Sequence, residues 1–140
     1  MKRSITEATG DLRILGRLEL SDMSIVQTRP WPEIAERLKA DKSPYLPLVQ
    51  FIMDSDFSSE IHGGVFLSGL LISDTPGFDI GKHMLQIEIT YTGFRFSYMR
   101  GPGYEKDNSI KEVPFAEAVE TLDLFLKVKF GLNLKLWKVT

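Results

Sequence analysis

An alternating pattern of apolar and polar residues between positions 83 and 100 constrains the fold of this chain more than any other feature. Apolar residues occupy every second position on both sides of Thr92-Gly93, and the phase shifts by one across these two residues. Such a pattern is typical of an antiparallel hairpin with one buried face. A two-residue turn at 92–93 predicts that Ile89 lies opposite Phe96 on that face. The same register pairs Tyr91 with Phe94 and Ile87 with Tyr98.

The strongest helical pattern begins at Pro114. Apolar residues recur there with helical spacing, acidic residues come early, and lysines come late, which complements the helix dipole. Gly131 is a candidate C-terminal cap. We expect the apolar side of this helix to pack on the sheet through Phe115, Val119, Leu122, and Phe125 or Leu126.

The remaining elements follow from shorter patterns. Apolar periodicity predicts a helix over 31–40, with a Glu33–Arg37 ion pair, and a second helix over 44–53. Ser43 is the candidate N-cap of the second helix, and Pro44 suits its first position. Pro47 weakens that helix, so a strand at 49–53 remains an alternative. Further strands are predicted over 11–20, over 64–73 as a strand buried on both faces, and over 132–136.

These elements predict an α+β fold with the order β-α-α-β-β-β-α-β. We expect an antiparallel or mixed sheet of about five strands, covered by two to three helices. A chain of 140 residues fits one domain, because single domains cluster near ~100–150 residues. We therefore assign residues 1–140 to one globular domain, in which residues 1–10 are a candidate flexible start.

The composition excludes several classes of function. The chain has no cysteine, which removes disulfides, thiolate catalysis and Cys-ligated zinc. Its 17 Lys and Arg against 19 Asp and Glu give a net charge of −2, which provides no general attraction for nucleic acid or an anionic membrane. No apolar run approaches the ~20 residues of a membrane span, and no secretory signal is evident. We expect a cytoplasmic protein that uses no cofactor.

Charge is unevenly distributed along the sequence. No Lys or Arg occurs from Ser43 to Gly81, a segment that contains several acids and Phe78, a large apolar residue in a predicted loop. An acidic surface with an apolar anchor fits a basic protein partner. The alternative is that this segment is mostly core and needs few charges of either sign. The candidate partner-binding residues are Asp54, Asp56, Glu60, Asp74, Phe78 and Asp79.

No complete catalytic set is present in the sequence. Asp54 and Asp56 with His62 form a candidate metal site, because carboxylates and imidazole bind divalent metals. His62-Gly63-Gly64 resembles the oxyanion-hole motif of esterases, but the chain contains no Gly-x-Ser-x-Gly nucleophile elbow. The sequence therefore assigns no catalytic residue.

The leading hypothesis is a non-enzymatic binding protein of bacterial type. It would be a small inhibitor, such as an immunity protein for a basic toxin, or a chaperone-like adaptor. One alternative is a small metal-dependent hydrolase that uses Asp54, Asp56 and His62. Another is a structural subunit of a homo-oligomer, in which an exposed edge strand pairs with a copy of itself.

Overall fold

The computed structural model describes residues 28–56, 58–66, 69–76, 83–100, 103 and 105–132. Within these ranges it contains three α-helices and one five-stranded antiparallel sheet, in the order α-α-β-β-β-β-β-α. The predicted α+β class is confirmed, although the order of elements differs. The predicted strands at 11–20 and, apart from Leu132, at 132–136 lie outside the described residues.

Both predicted N-terminal helices are present. Helix α1 spans Trp31–Ala40, and helix α2 spans Leu46–Asp54. Pro47 lies in the first turn of α2, where no intrahelical bond to a backbone N–H is required, so it does not break the helix. The alternative strand at 49–53 is therefore wrong.

The ends of these two helices differ in detail from the prediction. Ser43 does not cap α2 itself, because its Oγ accepts a hydrogen bond from the Tyr45 N–H at 3.2 Å in the turn before the helix. Glu33 pairs with Arg29, at 3.5 Å, and not with Arg37 as predicted.

The sheet is a simple meander in which each strand pairs with the next strand along the chain. The predicted buried strand at 64–73 is in fact two antiparallel strands, with Val65 opposite Leu70. The strand at Ser109–Pro114 was not predicted, because its few apolar residues do not alternate. The strands are β1 (His62–Phe66), β2 (Gly69–Ser73), β3 (Met84–Ile89), β4 (Gly93–Met99) and β5 (Ser109–Pro114).

The predicted hairpin is present as β3 and β4, but its register is shifted by two residues. Phe96 lies opposite Ile87, and Ile89 lies opposite Phe94, where it is partly exposed. The turn lies one residue earlier than predicted, because Tyr91 and Thr92 are enclosed by a hydrogen bond from the Thr90 N–H to the Gly93 carbonyl at 2.7 Å. A shift of two residues keeps every side chain on its face, so the apolar pattern fits both registers equally well.

The C-terminal helix begins later than predicted. A short 3₁₀ turn at Phe115–Glu117 precedes helix α3, which spans Ala118–Val128. Val119 is 36% exposed, so its predicted packing on the sheet is wrong. Phe115 is 45% exposed, but its ring packs edge-on against Phe94 of β4 at a centroid separation of 5.2 Å, as predicted. Gly131 follows the helix with a φ of +73°, a conformation that suits glycine after a helix C-terminus. The buried residues of α3 are Ala118, Thr121, Leu122, Phe125 and Leu126.

The main core lies between the three helices and one face of the sheet. Phe96, on β4, is fully buried, and its ring stacks on Phe125 of α3 with a centroid separation of 5.7 Å. Tyr45 closes the core beside α2, where its hydroxyl accepts a hydrogen bond from the Ile89 N–H at 2.8 Å. The sheet contributes Leu70, Ile72, Leu85, Ile87, Phe94, Phe96, Tyr98 and Val113 to this core.

Gly63 of β1 is required by close packing against α1. A Cβ atom at this position would lie 2.2 Å from the Trp31 ring, which is buried and rigid. The Trp31 indole N–H also donates a hydrogen bond to the Ile61 carbonyl at 3.1 Å, so the ring cannot easily move away. The glycine of the esterase-like motif therefore has a packing role here.

The second face of the sheet is also buried, although it does not belong to the helix-covered core. Leu71 and Met84 are at most 1% exposed on this face, and Gln86 and Ser97 lie opposite each other there. Neither the Gln86 Oε1 nor the Ser97 Oγ has a hydrogen-bond partner among the residues that the structure describes. Glu88 follows on the same face, and burial raises its pKa from 4.5 to about 7.

The raised pKa of Glu88 predicts that stability depends on pH between about 4.5 and 7. The protonated carboxyl is favoured in the folded protein, so its stabilising effect is complete below pH 4.5 and is lost as the pH rises through 7. Because Glu88 is partly exposed, we expect an effect of only about 1 kcal/mol. Between pH 5 and pH 8, the free energy of unfolding in urea should fall by about 1 kcal/mol more for wild type than for Glu88→Gln. An identical pH dependence of the two proteins would contradict the burial of Glu88, and Glu36→Gln is the exposed control.

In the described part of the chain, no helix combines the length and the apolar character that a bilayer span requires.

Candidate functional site

Asp56, Glu60 and Asp74, three of the candidate partner-binding residues, lie in segments that meet the sheet at one end, and Asp54 ends the helix before them. β1 begins there at His62, β2 ends there at Ser73, and these two residues are register partners. The connection from α2 to β1 arrives at this end, and the connection from β2 to β3 leaves from it. The antiparallel meander therefore places the segment that contains Asp56 and Glu60 and the segment that contains Asp74 at the same end of the sheet. We call the exposed acids of the α2–β1 connection, Asp54, Asp56 and Glu60, the acidic edge.

Each residue of the acidic edge is exposed to solvent. Asp54 is the last residue of α2, Asp56 lies in the turn that follows, and Glu60 ends a 3₁₀ turn at Ser58–Glu60. Neither Asp54 nor Asp56 forms an ion pair with another described residue. The alternative was that the segment without Lys or Arg is mostly buried in the core. These carboxylates are exposed, so the alternative is wrong for them, but Ile52 and Ile61 on either side of them are buried.

Asp74 lies directly after β2 and is directed towards a histidine. Its side chain is 29% exposed, and its Oδ2 is 4.0 Å from the Nε2 of His83. The Asp74 N–H also donates to the His83 carbonyl at 3.4 Å, which extends the β2–β3 ladder by one pair. Phe78 and Asp79, the other two predicted contact residues, lie outside the described residues.

His83 continues this cluster into the core. Its Nδ1 forms a short hydrogen bond with the Tyr98 hydroxyl, and that hydroxyl donates to the Lys129 carbonyl oxygen at 3.4 Å. The Lys129 ammonium group lies 5.4 Å from the centroid of the Tyr98 ring. The Asp74–His83–Tyr98 cluster therefore connects the ends of three neighbouring strands to the end of α3.

Tyr98 acts in this cluster as a neutral hydrogen-bonding group. The pKa of its hydroxyl is raised to about 12, mainly by burial, while Arg100 lowers this pKa and the carboxylates of Asp107 and Asp74 contribute to the increase. The ring is enclosed by Phe125 and Phe130, and the residue is 1% exposed. A phenol held in this way is enclosed by neighbouring rings, so its hydrogen bonds connect the strand ends to α3.

Sequence reasoning missed this cluster because it depends on the strand register. His83 comes within reach of Tyr98 only when Leu85 is paired with Tyr98, whereas the predicted register placed Ile87 there and His83 two residues further along the strand. Asp74 reaches His83 only if β2 and β3 pair in sequence, with Ser73 opposite Met84. The one sequence feature that could have indicated the cluster is His83, a polar residue directly before the alternating pattern of β3.

The three residues of the predicted metal site are not brought together. Among the described residues, no group of three His, Asp or Glu side chains is placed to hold one metal ion. His62 instead lines a cavity of about 320 Å³ between the start of α1 and the 3₁₀ turn before β1, beside Arg29, Ser58 and Ser59. Neither Asp54 nor Asp56 lines that cavity, so the hydrolase alternative gains no support.

Comparison with known proteins adds no assignment. No protein-family model matches the chain, and no curated protein or solved structure is significantly similar to it.

Proposed function

We propose that this protein is a non-enzymatic binding protein that uses the acidic edge to contact a basic protein partner. The observation that carries the proposal is the exposure of Asp54 and Asp56 without a paired cation, in a segment that contains no Lys or Arg from Ser43 to Gly81. Unpaired exposed carboxylates raise the rate of encounter with a positively charged surface and disfavour acidic competitors.

The anchoring of the acidic edge supports the same proposal. Ile52 precedes it and Ile61 follows it, and each is at most 1% exposed. The Ile61 carbonyl is also fixed by the Trp31 indole, and Ser55 Oγ donates to the Ile52 carbonyl at 2.6 Å. A short connection held at both ends loses little conformational freedom on binding, which favours affinity. A small inhibitor, such as an immunity protein for a basic toxin, or a chaperone-like adaptor fits this arrangement.

The proposal is tested with a charge-reversed variant. Wild type and Asp54→Lys/Asp56→Lys are immobilised, and proteins retained from a lysate of the organism that encodes the chain are identified by mass spectrometry. We expect a basic protein that wild type retains and the variant loses. With that protein purified, its association with the variant should be about tenfold slower at low salt, and the difference should shrink as salt rises.

Glu36→Lys is the matched control, because Glu36 is an exposed acid on α1 that forms no ion pair with a described residue. Glu36→Lys should associate with the partner at the wild-type rate, apart from the small decrease that any increase in the net positive charge of the protein causes. A partner that binds the doubly substituted variant as fast as wild type would place the contact surface elsewhere. Metal-dependent ester hydrolysis that disappears in Asp54→Asn would replace the binding proposal with the enzyme alternative.

A further inference from the structure

The cavity of about 320 Å³ between the start of α1 and the 3₁₀ turn before β1 adjoins the acidic edge. Ser58 and Ser59 line it and closely follow Asp56 in the chain, and two residues span at most about 7 Å. We propose that this cavity binds the C-terminal carboxylate of the basic partner, whose preceding lysines or arginines contact the acidic edge. The inference rests on the proposed function and names the part of the partner that is recognised.

The described lining of the cavity offers hydrogen-bond donors and no carboxylate. Arg29 contributes a guanidinium group, His62 contributes an imidazole, and Thr28, Ser58 and Ser59 contribute hydroxyls. None of these five side chains forms a hydrogen bond with a described residue. A set of unused donors around one space is complementary to an oxyanion, because each oxygen of a carboxylate can accept two hydrogen bonds.

The wall of the cavity is held in place by contacts within the fold. The Arg29 N–H donates to the Gly63 carbonyl at 3.0 Å, and the Trp31 indole N–H donates to the Ile61 carbonyl at 3.1 Å. Trp31 and Ile61 are buried, and both line the cavity. Helix α1 begins at the same point and no side chain caps its first turn, so the partial positive charge there adds to the attraction for an anion. Donors on such a fixed wall lose little conformational freedom on binding.

Arg29 is the charged side chain that can hold the carboxylate. Its Nε lies 3.5 Å from the Oε2 of Glu33, and both side chains are more than half exposed. An exposed ion pair of this kind is weak, so the carboxylate of a ligand can replace Glu33. A guanidinium group also donates to both oxygens of a carboxylate at once, which a single hydroxyl or imidazole cannot do.

The surroundings of the cavity favour a carboxylate on a basic chain over a phosphate group. Asp54 and Asp56 are exposed and form no ion pair with a described residue, and Glu33 lies beside Arg29. These acids repel a dianion more strongly than a monoanion, and they attract basic residues that precede a chain terminus. A basic segment that ends in a carboxylate therefore matches both the donors inside the cavity and the acids outside it.

The experiment uses synthetic octapeptides that carry an N-terminal fluorescein and alternate glycine and lysine up to a C-terminal leucine. The first ends in a free carboxylate, the second ends in an amide, and the third is the amide with one internal phosphoserine. We expect the first to bind the full chain at least ~10-fold more tightly than the other two in fluorescence anisotropy. The acidic edge alone would favour the plain amide, which carries one more positive net charge. Amide NMR shifts that only the free carboxylate causes should concentrate at 28–34 and 58–63.

Two variants with a matched control locate the site. Arg29→Gln removes the guanidinium group but keeps the backbone N–H that bonds to Gly63, and it should reduce the preference for the free carboxylate to less than ~2-fold. Ser58→Ala/Ser59→Ala should reduce that preference ~3-fold. Arg37→Gln should preserve it, because Arg37 is an exposed arginine on α1 that does not line the cavity.

The inference is overturned if the amide binds as tightly as the free carboxylate, or if the phosphoserine peptide binds more tightly than both. The same preference in Arg29→Gln as in wild type, or no binding of the free carboxylate up to about 1 mM peptide, would also overturn it.

Asp54→Lys/Asp56→Lys separates this inference from the proposed function. It should weaken the binding of the carboxylate and amide peptides together and leave the preference between them intact. If this variant binds both peptides like wild type, the proposed role of the acidic edge is wrong and the carboxylate site remains. If it weakens both but wild type shows no preference, only the carboxylate site is wrong.

Discussion

Replacing Phe96 with alanine is expected to lower the free energy of unfolding by about 3–5 kcal/mol. Phe96 is fully buried at the centre of the sheet, lies opposite Ile87, and stacks on Phe125 at an interplanar angle of 9°. Its removal would leave a cavity between the sheet and α3 that neighbouring rings cannot easily fill, because aromatic contacts fix them on several sides. Urea unfolding followed by circular dichroism would measure the change.

The control for this variant is Tyr91→Ala, which truncates an aromatic residue that is fully exposed in the β3–β4 connection. It should change stability by less than about 0.5 kcal/mol. A loss under about 1 kcal/mol for Phe96→Ala would mean that the ring is not part of a close-packed core.

Gly93→Ala is expected to be comparably damaging for a different reason. A Cβ atom at this position would lie 1.8 Å from the carbonyl oxygen of Val113 and 2.7 Å from the Cα of Pro114. Both are backbone atoms of β5, so the clash cannot be relieved by rotating a side chain, and the β4–β5 pairing must open. We expect a loss of about 3 kcal/mol and faster amide hydrogen exchange over 109–113.

Gly103→Ala separates this steric effect from the backbone preference of glycine. An added Cβ at Gly103 meets no atom within 4 Å, but the residue has a φ of +93°. Gly103→Ala should therefore lower the free energy of unfolding by only about 1–2 kcal/mol, because only the backbone is strained. If Gly93→Ala proves no more destabilising than Gly103→Ala, the close approach of β4 and β5 at this point is incorrect.

The candidate site illustrates which functional residues a sequence can indicate. Asp54 and Asp56 were identified because a run without Lys or Arg is visible in the sequence, and the structure places both on the surface. Asp74, in the same run, is turned towards His83 and is only partly available to a partner. Charge along the chain indicates the sign of a surface, but which side chains point outwards depends on strand pairing.

The edge strand β5 escaped prediction for a physical reason. Its only large apolar residues are Ile110 and Val113, which are three positions apart and therefore point to opposite faces. An edge strand needs few apolar residues, and charged residues and a terminal proline are common there.

The sequence by itself determined the α+β class, the two N-terminal helices and the face of each residue in the β3–β4 hairpin. These properties follow from local periodicity, since 3.6-residue and two-residue repeats assign each side chain to a face. Only the tertiary structure decided the register, the division of 64–73 into two strands and the contact of Asp74 with His83 and Tyr98. The apolar pattern fits a register shifted by two as well as the true one, so long-range packing and the closure of the β3–β4 connection select between them.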